Sequence, residues 1–259
     1  MIIEQKNFGY ALRRGADAEL GRSYRLPVFG RKLVISDSKY VRIVLPDDRR
    51  IYLSMCHNAS AYFAFTEHKE GRLTGKEIWL HADHSAHPDN NPIDEERCVI
   101  GPRTSLRRLS FYLNMRNGNL KYGVSSARVM TALQHKFPSM TFDFLHNGAV
   151  KVPMRGEGMT FREVCTILDF VPGSMPPNGY VLGFDVDMLS GDVTDKDSLM
   201  AEKAVSLAGL SKLVTVCLSP SYIDPGYGLM WMEYLVNWMI WQSVQKCEAK
   251  ETAAKWQEL

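Results

Sequence analysis

The stretch that decides the fold is KLVISDSKYVRIVLPDDRRIYLS, residues 32–54, in which polar turns separate three short apolar runs. Lys32–Ser36, Tyr40–Leu45 and Arg50–Ser54 carry the alternating, β-branched and aromatic side chains typical of half-buried strands. Pro46-Asp47-Asp48 supplies turn chemistry before the third run. This part of the chain is therefore predicted to form three successive strands.

Two further runs, Ala61–Thr66 and Glu77–His81, have the same strand-like composition. Together these runs predict a β-rich N-terminal region over residues 1–100. The segment His81–Pro102 is dense in Pro, Asn and Asp, which sustain neither a ladder nor a helix. It is predicted to be a surface loop and a boundary.

Residues 101–259 are predicted to be mainly helical. Apolar side chains recur every three or four residues in Thr104–Met115 and Ser125–Phe137, and Thr160–Glu163 matches a capping box that predicts the start of a third helix. A strand is expected at Tyr180–Val186, followed by helices from about Asp197 to Leu207 and from Pro225 onward. Strands first and helices after indicate an α+β fold, which fits one compact unit.

The composition narrows the class of protein. With 259 residues and 45% hydrophobic content the chain can bury a large core, and its net charge of +2 is too small to attract nucleic acid or anionic membranes globally. Five cysteines, odd in number and widely spaced, indicate reduced thiols in a reducing compartment.

Tyr227–Trp241 is shorter than the ~20 apolar residues of a membrane span, so it is predicted to be a buried helix.

Candidate zinc ligands stand close together in the first half. His81, Asp83, His84 and His87 lie within seven residues, and all are side chains that zinc binds. No remote Cys or His pair with ligand spacing completes the set, so a His-rich polar loop is the favoured interpretation. A zinc-dependent hydrolase built on these four residues is kept as an alternative.

An acidic stretch runs from Asp185 to Asp197 and contains five aspartates. Its spacing lacks the central Gly and terminal Glu of an EF-hand, so helix capping explains these carboxylates better than calcium binding.

Basic and aromatic residues suggest two kinds of partner. Exposed arginines interleaved with aromatics offer a nucleic-acid site, although a solvated helix face is favoured because the net charge is nearly balanced. This set is Arg103, Arg107, Arg108 and Arg116. Near the N-terminus, Phe8, Tyr10 and Phe29 lie among Gly, Arg and polar residues, where aromatics are typical protein-interface anchors.

Complete catalytic motifs are missing from the sequence. It contains no Gly-x-Ser-x-Gly elbow, and its two Gly-x-Gly pairs lack the third glycine or the Lys of a phosphate loop. The sequence therefore predicts a protein without a cofactor that acts by binding other macromolecules. RNA binding remains the second alternative.

The strongest family pattern lies in Asp197–Val236, where DSLMAEKAVSLAGLSKLVTVCLSP is followed by a helix containing Leu229-Met230-x-Met232-Glu233. This pattern resembles the nonstructural protein NSs of phleboviruses and their relatives. Gly71–Leu80 and Ala132–Leu145 are similar at matching order and spacing, although His135-Lys136-Phe137-Pro138 stands where the family has Trp-Pro-x-Gly. These segments cover about a quarter of the chain, and none is a catalytic motif.

This resemblance implies a virulence factor made inside infected cells. Such proteins bind host factors of innate signalling, transcription or translation initiation, and so antagonise interferon induction or host gene expression. The resemblance also implies self-association into inclusions or filaments, in the host cytoplasm with the nucleus as an alternative. A membrane partner is not expected.

Overall fold

Strands come first along the chain, and helices are interspersed with strands after them. The computed structural model describes residues 1–8, 22–36, 38–55, 57, 59–84, 101–105, 129–148, 161–189, 194–220 and 223–257. In the first half the elements are β1 (Ile2–Asn7), β2 (Ser23–Val28), β3 (Arg31–Ser36), β4 (Lys39–Val44), β5 (Arg50–Ser54), α1 (Ala59–Lys69) and β6 (Ile78–Ala82). They continue with α2 (Val129–Lys136), β7 (Thr141–His146), β8 (Glu163–Thr166), β9 (Tyr180–Asp185), α3 (Asp195–Leu210), β10 (Ser211–Cys217) and α4 (Pro225–Gln257).

Eight of these strands form one mixed sheet in the order β1-β4-β5-β10-β9-β6-β7-β8. The pairings from β5 through β10, β9, β6 and β7 to β8 are all parallel, whereas β1, β4 and β5 pair antiparallel. Strands from both sides of residue 100 therefore alternate within one sheet, and the fold is mixed α+β. The stretch richest in helix begins at residue 195.

The sheet carries a hydrophobic core on each face, because successive side chains of a strand point to opposite sides. Ile51 and Leu53 of β5 pack into the core beneath α3, α4 and the β2–β3 hairpin, whereas Tyr52 packs into the core beneath α1 and α2. In the second core the Tyr52 ring stacks on Phe63 of α1, with centroids 4.4 Å apart. Helices thus cover both faces of the parallel strands.

A two-residue turn, Phe29-Gly30, joins β2 to β3. Both residues have positive φ, 46° and 73°, as in the type I′ turn that matches the twist of a hairpin. The hairpin is tied to the main sheet by Gln5 of β1, whose side chain bonds both the amide and the carbonyl of Val34. The turn lies beside α4, because the backbone amide of Phe29 donates a hydrogen bond to Asn237 of that helix.

Several predicted elements are confirmed. The three strands read from residues 32–54 are β3, β4 and β5, and the predicted runs Glu77–His81 and Tyr180–Val186 overlap β6 and β9. The helices expected near Asp197 and from Pro225 are α3 and α4. The capping box that begins α3 pairs Thr194 with Asp197, so this aspartate of the acidic stretch does cap a helix.

Two predicted elements are wrong. Ala61–Thr66 belongs to helix α1, which its alanines favour. The segment is buried on nearly every side, so the spacing of its apolar residues did not distinguish a helix from a strand. Instead of a helix after Thr160, Glu163–Thr166 is strand β8, since pairing with β7 overrides the local capping pattern. The other two predicted helices are Thr104–Met115 and Ser125–Phe137. Residues 106–128 lie outside the described residues, and the described helix within the second prediction is α2, Val129–Lys136.

The helix α4 is half-buried. Trp231, Met232 and Leu235 lie in the core, whereas Tyr234 and Trp241 are exposed, so the buried helix expected at Tyr227–Trp241 has one solvent-facing side. Within the described residues, no helix combines the length and the apolar content needed to cross a bilayer.

Candidate functional site

A polar cluster lies where the parallel strands end. The registers pair Cys217 with both Ser54 and Asp185, so β5, β10 and β9 end side by side, and Ala82 of β6 ends next to Phe184 of β9. The carboxyl edge of parallel strands is the usual position of ligand sites in α/β sheets. Side chains at the ends of these strands or just after them meet at this edge, and we call them the edge cluster: His57, His81, Asp83, His84, Asp185, Asp187 and Ser219.

Asp185 forms hydrogen bonds with three neighbours in the edge cluster. Its Oδ2 lies 2.8 Å from His57 Nδ1 and accepts a 2.5 Å hydrogen bond from the Ser219 hydroxyl. Its Oδ1 accepts the amide of Asp187 and so caps the short 3-10 helix Val186–Met188. Ser219 has φ +46°, a left-handed conformation that costs a non-glycine residue about 1–2 kcal/mol.

Asp83 lies between the histidines and is fully buried. Its Oδ2 is 3.6 Å from His57 Nδ1 and 3.7 Å from His81 Nε2, and its Oδ1 is 3.1 Å from His84 Nδ1. The rings of His57 and His81 meet edge to face, with centroids 4.6 Å apart. One carboxylate therefore faces three imidazoles.

His84 forms the solvent-facing side of the edge cluster, because 34% of its side chain is exposed, against 5% for His57 and 6% for His81. Its Nδ1 lies 3.2 Å from Asp187 Oδ2. Hydrogen bonds to Asp187 and Asp83 raise the pKa of His84 to about 10. Burial, followed by the negative charge of Asp185, raises the pKa of Asp187.

The charge of His57 depends on opposing effects. Burial lowers its pKa, but the hydrogen bond and charge of Asp185, together with the charges of Asp83 and Asp187, raise it overall. The resolved shifts in the edge cluster all raise the pKa: nearby carboxylates outweigh burial for His57 and His84, whereas burial is the largest cause for Asp187.

Part of this site was predicted from sequence. The structure brings together His81, Asp83 and His84, while His87 lies outside the described residues. The expected surface loop is wrong at its start, since His81 is within β6 and Asp83 is buried. The sequence search looked for a remote Cys or His pair with ligand spacing, whereas the structure adds two single remote residues, His57 and Asp187. In the sequence, only the position of His57 and Asp187 just after predicted strands pointed to the site.

A second candidate site is an exposed apolar face on α4. Positions 227, 230, 234, 238 and 241 recur every three, four or seven residues and therefore share one side of the helix. We call this set the aromatic face: Tyr227, Met230, Tyr234, Trp238 and Trp241. Trp241 is 55% exposed, and Tyr227, Met230 and Tyr234 are each about 40% exposed.

A shallow hollow of about 420 Å³ lies on this face, lined by Met230, Glu233, Tyr234, Asn237 and Trp238. At its rim, the backbone amide of Phe29 donates a hydrogen bond to Asn237. The Phe29 ring is 52% exposed at a positive φ that bulky residues rarely adopt. Phe29 and the aromatic face thus adjoin on one surface.

The three aromatics proposed as anchors differ in their surroundings. Phe29 is exposed as expected, and Tyr10 lies outside the described residues. The exposure expected of Phe8 is wrong, because its ring is 6% exposed and packs against Tyr40, Tyr62 and Phe63. Its polar sequence neighbours concealed this aromatic cluster.

The predicted nucleic-acid site lies mostly outside the described residues. Arg103 is exposed, while Arg107, Arg108 and Arg116 fall in the segment 106–128. RNA binding by this set stays a prediction.

Comparisons with protein-family models, with curated proteins and with solved structures each found no match for this chain. The two candidate sites stand on the residues and distances described above.

Proposed function

We propose that this protein is a non-enzymatic viral virulence factor that binds and inhibits or sequesters host regulatory proteins. The observation that carries the proposal is the aromatic face of α4, with Phe29 at its rim. The resemblance of Asp197–Val236 to phlebovirus NSs supplies the class of partner: factors of interferon induction, host transcription or translation control. The site of action is the host cytoplasm, with the nucleus as an alternative.

Exposed aromatics on a helix favour partner binding for an energetic reason. Contiguous exposed apolar patches are uncommon on soluble monomers and mark interaction sites. Trp and Tyr are enriched among the residues that contribute most to binding, because their rings cover a large area with few rotatable bonds. Trp241 and Tyr234 provide both residue types on one helical face.

The turn residue Phe29 supports the same surface independently. A type I′ turn favours Asn or Gly at this position, and Phe is strained there. Its ring gains little burial from the fold, being about half exposed. A strained and exposed aromatic is consistent with selection for binding rather than for stability.

The experiment compares two triple variants expressed with an affinity tag in human cells. The first, Met230→Ser, Tyr234→Ser and Trp241→Ser, removes exposed side chains of the aromatic face. The control, Val171→Ser, Met175→Ser and Leu199→Ser, removes three apolar side chains of comparable exposure elsewhere. Both are scored by an interferon-promoter reporter and by mass spectrometry of the co-purified proteins.

We expect the unmodified protein and the control to suppress the reporter and to retain a discrete host signalling, transcription or translation complex. The aromatic-face variant should lose both while keeping its thermal unfolding temperature. Equal suppression and equal recovery by the two variants would refute the aromatic face as the binding surface. Light scattering of the same proteins tests the self-association that the resemblance implies.

A further inference from the structure

The edge cluster has the composition of a metal centre. Imidazole nitrogens and carboxylate oxygens together are the ligands of zinc and related divalent ions, and a site needs about four of them in reach of one point. His57, His81 and Asp83 each offer one ligand atom, and the three atoms lie within 4.8 Å of one another. All three side chains are at most 6% exposed.

The distances between these atoms match tetrahedral coordination. Zinc bonds of about 2.0–2.2 Å place two ligand atoms about 3.3–3.6 Å apart in a tetrahedral site. Asp83 Oδ2 is 3.6 Å from His57 Nδ1 and 3.7 Å from His81 Nε2. Both separations are longer than a hydrogen bond and differ by at most about 0.4 Å from the distance between two ligand atoms of a tetrahedral zinc site.

We propose that the edge cluster binds one zinc-like divalent cation, with His57, His81 and Asp83 as protein ligands. A fourth position faces the more exposed side, where His84 and Asp187 stand. Three protein ligands with one remaining position are the arrangement of zinc sites that bind water or a substrate. The proposal is independent of partner binding by α4.

The surrounding residues fit this role. Asp185 Oδ2 lies 2.8 Å from the same His57 Nδ1, so metal binding at this nitrogen replaces that hydrogen bond and leaves a carboxylate beside the cation. Ser219 in turn donates to Asp185 and holds it in place. Asp187 has a side chain only 2% exposed, and its Oδ1 has no hydrogen-bond partner among the described residues. A buried oxygen of this kind is stabilised by a nearby cation.

The test is zinc binding by the full chain. The protein is stripped with a chelator, checked by circular dichroism, and titrated with Zn²⁺ by calorimetry, with metal content measured by mass spectrometry. We expect one zinc per chain and a raised unfolding temperature, since an ion that binds only the folded state stabilises it. Cobalt in the same site should give the strong visible absorption of tetrahedral coordination.

Conservative substitutions separate the site from surface binding. Asp83→Asn and His57→Gln should each weaken zinc binding at least about tenfold, because each removes a ligand. The control His68→Gln changes a histidine of α1 that bonds Leu73 instead, and it should bind zinc as the unmodified protein does. If Asp83→Asn fails to fold, His57→Gln and the cobalt spectrum decide. A folded wild-type chain that binds no zinc, or equal binding by His57→Gln and the control, would overturn the proposal.

Discussion

The backbone amide of Phe29 donates a 3.3 Å hydrogen bond to the side chain of Asn237, which lies 208 residues later in the chain. This contact fastens the β2–β3 turn to the middle of α4. An N-terminal aromatic and the C-terminal aromatic face consequently belong to one surface, and a change in either can be compared with a change in the other.

Replacing Phe29 with Asn should separate binding from stability. Asn favours the left-handed conformation of this turn, and it keeps the amide that bonds Asn237, so the free energy of unfolding should rise by about 1 kcal/mol. Partner recovery should fall, because the exposed ring is lost. Chemical denaturation and affinity purification measure the two effects. A more stable variant that recovers its partner unchanged would remove Phe29 from the binding surface.

The buried aromatic Phe8 should behave in the opposite way. Phe8→Ala opens a cavity among Tyr40, Tyr62 and Phe63 and should lower the free energy of unfolding by about 3 kcal/mol. At a temperature where the variant stays folded, partner recovery should remain. Denaturant titration and a pull-down at low temperature test this. A loss of binding without a loss of stability would restore Phe8 as an anchor.

Tyr52 should contribute to stability through its hydroxyl. That group donates to the carboxylate of Glu67, which is 1% exposed. Tyr52→Phe should therefore cost about 1.5–3 kcal/mol, as expected for a hydrogen bond to a charged group. Tyr227→Phe, in the exposed aromatic face, is the matched control and should leave the unfolding midpoint unchanged.

Cys165 should react slowly with alkylating reagents. Burial, with the negative charge of Glu163 next, raises the pKa of its thiol to about 12, so little thiolate exists at pH 8. Iodoacetamide labelling, followed by peptide mass spectrometry, should be at least about tenfold slower than for a cysteine in a short peptide. Glu163→Gln removes one negative charge and should speed the reaction. Equal rates for the protein and the peptide would contradict the shift.

Elements with a strong local signal could be predicted from sequence. Tyr40–Leu45 and Arg50–Ser54 became β4 and β5 because alternation, β-branching and turn residues agreed. The apolar segment within α1 was misjudged, because a helix buried nearly all round has no polar side to reveal its period. Glu163–Thr166 was misjudged because its strand exists only through pairing with β7.

The edge cluster was predictable only in part, for a similar reason. His81, Asp83 and His84 are neighbours in the chain, so their proximity could be seen directly. His57 and Asp185 are 128 residues apart and meet because β5 and β9 both flank β10. Nothing in the local pattern of either strand records which strand lies next to it.

By itself, the sequence determined the mixed α+β class, the three strands of residues 32–54 and the long C-terminal helices, since these depend on side-chain periodicity and turn chemistry. Only the tertiary structure decided the strand order, the burial of Phe8 and the meeting of His57 with Asp83 and Asp185. The physical reason is that periodicity specifies which side of an element is buried, whereas the identity of the element that buries it depends on contacts distant in the chain.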